Sequence, residues 1–185
     1  PDFWNDPKEA EKLLRTIKGK KRWTQSYFDS KAIFDDLAVI FDFYNEGEST
    51  EEELDQHYEK AVEAIKDLEF LNMLSGEEDK LSAILQINPG AGGTESQDWA
   101  QMLMRMYIRY AEIKEYKVRE LDFQEGDVAG IKSVSLEIEG DYAFGYLKGE
   151  NGVHRLVRLS PFDSANRRHT SFASVMVMPE LDASI

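Results

Sequence analysis

Cysteine is absent from the 185 residues, so neither a disulfide framework nor thiolate chemistry is available, and the chain suits a reducing, cytoplasmic setting. Histidine is scarce: His57, His154 and His169 lie too far apart for a metal-ligand spacing, and no metal or cofactor is expected. No apolar run is long enough to span a bilayer, and the N-terminus carries no signal-peptide pattern. No serine has the strained turn context of a nucleophile and no carboxylate pair stands out, so no catalytic residue is assigned.

Positive charge is also in short supply. The chain holds 22 Lys and Arg against 36 Asp and Glu, a net charge of −14, which excludes a broad basic surface for long nucleic acid. The deficit is uneven. Residues 1–80 carry 21 acids and 11 bases, whereas residues 81–185 carry 15 and 11. Between Glu150 and Thr170 the balance inverts, with four arginines against two acids. Any RNA contact is therefore expected to be local, in that segment.

Periodicity divides the chain at about residue 78. Asp6-Pro7 is a helix start, with Ala10, Leu13, Leu14 and Ile17 at helical spacing. A break is expected near Gly19, followed by a second stripe of Ile33, Leu37, Ile40 and Tyr44. Asn45-Glu46-Gly47 ends it, and Ser49-Thr50 opens a helix lined by Leu54, Tyr58, Ala61, Ile65 and Leu68. Residues 1–78 thus read as an acidic helical hairpin or small bundle whose charges form a solvated outer face. Residues 79–185 change rhythm. Leu81 to Ile87 alternates as a strand, Thr94 to Glu115 is an amphipathic helix facing inward through Trp99, Met102, Leu103, Met106, Tyr110 and Ile113, and Val118–Phe123 and Ile131–Glu139 are strands. A short helix over Tyr142–Leu147 precedes two strands around an eight-residue polar loop. The expected fold class is α+β, a βαββα unit plus a β-hairpin, with helices on one face of a mainly antiparallel sheet. The ends, Pro1 without a methionine and Ile185 just past a strand, read as cut and predict a fragment.

Two places carry candidate chemistry. Gly90-Ala91-Gly92-Gly93-Thr94-Glu95 joins a strand to a helix. A phosphate loop is one reading, but no lysine follows the glycines, and Glu95 and Asp98 lie in the first turn, where they satisfy the helix dipole and repel phosphate. Thr94 with Gln97 predicts a capping box. The glycines serve either a tight turn or the close approach of backbone groups to a neutral base edge. The second place is the hairpin loop. Ser160 offers a rotatable hydroxyl, Pro161 stiffens the loop, and Phe162 reads as an anchor. His169 is either structural or a stacking group, Thr170 can bond a base edge, and Arg167 and Arg168 are surface charges within reach of RNA backbone.

Taken together, PDFW, GAGGTESQDWAQML, GDVAGIKSVSLEIEGDYAFGYL and VHRLVRLSPFDSANRRHTSF resemble the bacterial class I peptide chain release factors of the release factor 2 type. Ser160-Pro161-Phe162 stands where that type carries Ser-Pro-Phe; the release factor 1 type has a Pro-x-Thr sequence there. The resemblance implies that backbone around Gly92 and Glu95 reads the first-position uracil of a stop codon. It implies that Ser160, beside Glu95, accepts A or G second, that His169 stacks between the second and third bases, and that Thr170 with Val157 faces the third. UGA and UAA are the codons implied, UAG is not. The implied partners are the ribosomal decoding centre, ribosomal RNA and stalk proteins, the last through the helical domain, with the protein a monomer. Two departures appear. Ala165-Asn166 stands where relatives often have glycine, at a position where Asn tolerates unusual backbone angles. The Gly-Gly-Gln loop that peptide release requires is missing: the glutamines are Gln25, Gln56, Gln86, Gln97, Gln101 and Gln124, none after two glycines. The chain is expected to recognise stop codons without releasing peptide.

Three other readings compete with this one: a rescue or regulatory paralogue that naturally lacks the hydrolytic domain, a phosphate-binding enzyme using the glycine turn, and a plain helical interaction domain. The decoding reading requires Ser160, His169 and Thr170 to converge with Gly92 and Glu95.

Overall fold

A computed structural model describes residues 6–181, and the chain divides into two compact units, Pro1–Met73 and Leu74–Ile185. The PDFW segment lies outside the described residues. In the first unit α1 (Pro7–Glu46) and α2 (Glu51–Met73) pack as a hairpin. Asp6 caps α1, its Oδ1 accepting the Glu9 N–H at 3.2 Å. The break expected at Gly19 does not occur. Helix α1 runs through it unbroken for 40 residues, because a lone glycine weakens a helix by only about 1 kcal/mol and does not stop one. Gly47, at φ +80°, ends it in a Schellman turn: Glu48 N–H donates to Phe43 C=O at 2.9 Å and Gly47 N–H to Tyr44 C=O at 3.1 Å. Thr50 Oγ1 then accepts the Glu53 N–H at 3.2 Å to start α2.

The outer face of this hairpin is not purely charged. Phe28, Phe34, Phe41 and Tyr58 stand half-exposed among the acids, and an apolar cavity of about 450 Å³ opens between Phe34, Leu37, Leu54 and Tyr58. Among the described residues of this unit few side chains are buried, Ala10, Ala61 and Leu71 among them, since two helices alone cannot enclose a core.

In the second unit five strands form one antiparallel sheet in the order β2-β3-β1-β5-β4: β1 (Ala83–Pro89), β2 (Lys117–Glu125), β3 (Ile131–Glu139), β4 (Gly152–Leu159) and β5 (Arg168–Pro179). This is the α+β architecture that the periodicity predicts. Alternation puts Ala83, Leu85 and Ile87 of β1, Val134, Leu136 and Ile138 of β3, and Ala173, Val175 and Val177 of β5 on one face, all buried. Each large apolar side chain so enclosed contributes roughly 1.5–3 kcal/mol.

The helix α3 (Thr94–Ile113) covers that face, with α4 (Ala143–Leu147) beside it. Its buried stripe is Ser96, Ala100, Leu103, Tyr107 and Ala111; of the stripe expected, Leu103 is buried and Trp99 and Tyr110 pack against the core, whereas Met106 is 48 % and Ile113 70 % exposed. The two alanines explain the rotation. Small side chains let the helix axis approach the sheet, while the bulkier Met and Ile point to solvent.

Candidate functional site

Helix α3 holds the last hairpin in place along its length. Trp99 Nε1 donates to His154 C=O at 3.0 Å and Tyr107 Oη donates to Glu150 Oε2 at 2.8 Å. Burial, with the Glu150 carboxylate beside it, pushes the Tyr107 hydroxyl above the usual tyrosine range. At the far end Asn151 imitates a strand partner for β5: Val177 N–H donates to its Oδ1 at 2.7 Å and its Nδ2 donates to Val177 C=O at 3.2 Å. The β4–β5 register then runs from Gly152↔Val175 to Leu159↔Arg168, leaving residues 160–167 as the eight-residue loop expected.

That loop is docked on the start of α3. Ser160 Oγ donates to Glu95 Oε2 at 2.7 Å and accepts the Phe162 N–H at 3.2 Å. Arg158, two residues earlier and on the same face of β4, reaches three groups of α3. Its Nε donates to Glu95 Oε1 at 2.5 Å, its Nη2 to Asp98 Oδ2 at 2.5 Å, and its Nη1 approaches Met102 Sδ at 3.4 Å. Glu95 and Ser160 are 5 % and 4 % exposed. Burial pushes the Glu95 carboxyl up, but the hydrogen bonds from Arg158 and Ser160 outweigh it and hold the group below the usual range, ionised at neutral pH. Arg158 is the residue that sequence reasoning missed. Nothing in a strand sequence announces that one of its arginines is consumed by two carboxylates 60 and 63 residues away.

A second hub orders the loop itself. Asp163 Oδ1 accepts the Ala165 N–H at 2.9 Å, and Oδ2 takes Arg167 Nε at 2.8 Å and His169 Nε2 at 2.7 Å. The His169 contact, then the Ala165 N–H and Arg167, keep the Asp163 carboxyl well below the usual range. Asn166 takes a left-handed backbone, φ +50°, at the position where the resemblance expects glycine. Phe162 is 45 % exposed and so does not anchor the loop in the core.

The glycine turn differs from its expectation as well. The residue before α3 is Gly93, at φ +60° and ψ −134°, and no side chain caps the helix, so the Thr94–Gln97 capping box is not formed. Gln97 instead faces the β2–β3 turn, where a Cβ on Gly126 would meet its Oε1 at 2.8 Å. Ser96 takes over part of the turn, donating to Gly93 C=O at 2.8 Å with Gly90 C=O at 3.0 Å. Gly92, at φ +137°, lies so close to β5 that a Cβ would stand 2.9 Å from Ser171 Cβ. The Ser171 hydroxyl is buried there without a hydrogen-bond partner. The phosphate-loop reading fails on charge. Glu95 and Asp98 outnumber Arg158 at the helix start, and the cluster as a whole is anionic.

The hairpin therefore has two working faces. Ser160, Arg158 and its register partner His169 lie toward α3. Val157 and its partner Thr170 are on the opposite, open face with Arg168, all exposed. Pro161 and Arg167 lie exposed in the loop, and Arg167 is already engaged by Asp163. Glu95, Ser160 and the His169–Asp163 pair are thus brought to one end of α3, Gly92 lies against β5 beside them, and Thr170 is separated from them by the thickness of the hairpin. Among the described residues no group of His, Cys, Asp and Glu could hold a metal ion, and no helix is long and apolar enough to cross a membrane.

Known proteins resemble the chain over its whole length. Peptide chain release factor 2 of a Nitratiruptor species is 51 % identical over 188 residues, which cover 100 % of this chain and 51 % of that protein. Peptide chain release factor 2 of Listeria innocua serovar 6a is 50 % identical over 187 residues, with the same coverage. The chain thus spans about half the length of the curated relatives it matches. A solved structure, RF2 of Thermus thermophilus, superposes with a TM-score of 0.68 at 40 % identity, over 100 % of this chain and 52 % of that one. The family model for the PCRF domain matches residues 1–175, and the chain belongs to the PCRF domain family.

Proposed function

We propose that this chain is the codon-reading portion of a release factor 2-type translation termination factor, acting on UGA and UAA in the ribosomal decoding site. One observation carries the reading: the hairpin loop is docked on the start of α3 through Ser160 and Glu95. Single-stranded RNA bases are recognised by a few fixed polar groups on their edges together with planar groups on their faces. Here the polar groups are Ser160 and Glu95 on one side of the hairpin and Thr170 on the other. His169, opposite Arg158 in register, lies on the Ser160 side, while Thr170, next in the chain, lies on the other face and does not converge with Gly92 and Glu95 within the chain. The anionic cluster suits the neutral edge of a base and not a phosphate, while Arg168 on the open face suits the RNA backbone. The relatives' shared name, release factor 2, supports the same assignment.

By the same reading the partners are the ribosome and the messenger RNA, the helical residues 1–78 face the ribosomal stalk, residues 79–185 decode, and the setting is the bacterial cytoplasm. The sequence contains no Gly-Gly-Gln, so the chain recognises without hydrolysing peptidyl-tRNA. Competition tests this. The chain is added to ribosomes that carry UGA, UAA or UAG and a labelled peptidyl-tRNA, together with an intact release factor active at that codon. Inhibition at UGA and UAA but not UAG, lost in Ser160→Ala/His169→Ala, is the expected result. Equal inhibition at all three codons, or none at any, overturns the reading.

A further inference from the structure

Positive charge in the helical unit is gathered at one end of α1. Between Lys8 and Arg22 there are seven Lys and Arg against two acids, Glu9 and Glu11. From Trp23 to Lys80 there are four against 17. We infer that this first part of α1 is a binding stripe for the phosphate backbone of double-helical RNA, separate from the codon-reading site. Such a stripe goes beyond the decoding reading and does not depend on it.

The helix gives the charge a direction. Lys8, Lys12, Arg15 and Arg22 follow at i, i+4, i+7 and i+14, with Lys18 alongside, so they share one side of α1. Ala10, Leu13, Leu14 and Ile17, at i, i+3, i+4 and i+7, share the opposite side. At a rise of 1.5 Å per residue the basic stripe is about 21 Å long. By the same rise α1 is about 60 Å and α2 about 34 Å long, so the hairpin places the stripe past the end of α2 and its acids. Glu9 and Glu11 can neutralise only two of the seven bases. Lys18 and Arg22 already interact within the chain, and Lys20 and Lys21 stand exposed and add to the local field.

A straight row of cations fits a polyanion of regular charge spacing. Unstacked bases would need aromatic rings to lie on, and base edges would need amide side chains; the segment from Lys8 to Arg22 has neither. Phosphates of a helix are what it can hold. A lipid surface would take up the apolar side, but that side is partly covered, Ala10 being 3 % exposed. A second copy could offer its acidic half, yet each chain carries −14 and two of them repel. The codon-reading loop adds little attraction, because Arg158 and Arg167 are held by carboxylates. The start of α1 is the densest run of positive charge in the chain.

The test titrates the full chain into a fluorescently labelled RNA duplex of mixed sequence and follows anisotropy between about 50 and 200 mM KCl. Three forms are compared: the unaltered chain, Lys8→Gln/Lys12→Gln/Arg15→Gln, and Lys31→Gln/Lys60→Gln/Lys66→Gln, which removes the same charge from the acidic part of the hairpin. Glutamine keeps the helix propensity of lysine and arginine, and circular dichroism checks it. The unaltered chain should bind with a steep salt dependence. The first triple variant should lose about tenfold or more in affinity at low salt and flatten the slope of log affinity on log salt by roughly 2–3, the counterions of three phosphates. The second should leave the slope unmoved. No binding at low salt, equal effects of the two triple variants, or an unchanged slope in the first overturns the proposal. Binding to phosphatidylserine-containing vesicles in place of the duplex overturns it too, as does self-association in sedimentation that the first triple variant abolishes while the duplex stays unbound. If the first triple variant loses helicity, Lys8→Arg/Lys12→Arg/Arg15→Lys decides: retained binding supports the stripe and lost binding refutes it. The duplex carries no stop codon and no ribosome is present, so failure of the decoding reading leaves this result standing.

Discussion

Gly92→Ala should destabilise the sheet unit where the start of α3 meets β5. Two costs combine. At φ +137° an L-residue loses roughly 1–3 kcal/mol of backbone energy. The added Cβ would also lie 2.9 Å from Ser171 Cβ, closer than real carbon pairs sit, and 3.2 Å from Ser96 Cβ, tighter than most. Relieving that overlap means moving the start of α3 away from β5, an overpacking cost of roughly 1–3 kcal/mol. The sum is about 2–6 kcal/mol. Gly93→Ala separates the two costs, since Gly93 shares the positive φ, at +60°, but a Cβ there meets nothing within 4 Å. It should lose the backbone part alone. Urea unfolding followed by circular dichroism gives the totals, and hydrogen exchange at Ala173 and Ile87, which flank the contact, localises the loss. If Gly92→Ala costs no more than Gly93→Ala, α3 does not approach β5 as closely as described and the argument for Gly92 fails.

Three further outcomes rest on the same structure. Gly19→Ala should stabilise α1 by about 0.5–1 kcal/mol, because the helix is continuous there and the methyl meets nothing within 4 Å; a loss of helicity by circular dichroism would restore the break. Asp79, Glu95 and Asp163 are all held below their ordinary values, by Lys148, by Arg158 with Ser160 against burial, and by His169 respectively. Their folded forms therefore bind fewer protons than the unfolded chain. The stability they add is fully present above about pH 5 and is lost as pH falls through roughly 4 and below. Melting temperature against pH should show this acid limb, and Asp79→Asn should flatten it while lowering stability at pH 7. Asp163→Ala should speed exchange of the Ala165 amide by about tenfold, since that N–H loses its acceptor, while the amides of β1 and β3 stay protected. Equal acceleration throughout the sheet would mean that Asp163 supports the whole unit and not the loop alone.

Much of this protein could be read from local pattern. Two-residue alternation in Ile131–Glu139 and in the β1 segment locates strands that bury one face, because that periodicity is a property of the extended backbone itself. Gly47 and Thr50 mark helix ends for equally local reasons, and the loop between β4 and β5 has the length that its polar composition suggests. Asn166 adopts the unusual backbone that its side chain tolerates. Local pattern misled where the deciding term was small or came from elsewhere in the chain. One glycine did not overcome the cooperativity of a helix 40 residues long. The Thr94–Gln97 pairing yielded to a glycine N-cap because the turn must pass close to β5 and Gln97 must meet the β2–β3 turn.

The elements, their order, the chemical kit of the hairpin loop and the absence of thiol chemistry were legible from the residues alone, since each depends on neighbours in the chain or on composition. Only the tertiary structure decided which stripe of α3 turns inward, for that depends on how near Ala100 and Ala111 let the helix come to the sheet. It also decided what the arginines do. Arg158 and Arg167 are spent on Glu95, Asp98 and Asp163, while Arg168 stays exposed on the open face. A buried carboxylate such as Glu95 remains ionised only if a cation reaches it, and folding alone brings residues 95 and 158 within a hydrogen bond of each other.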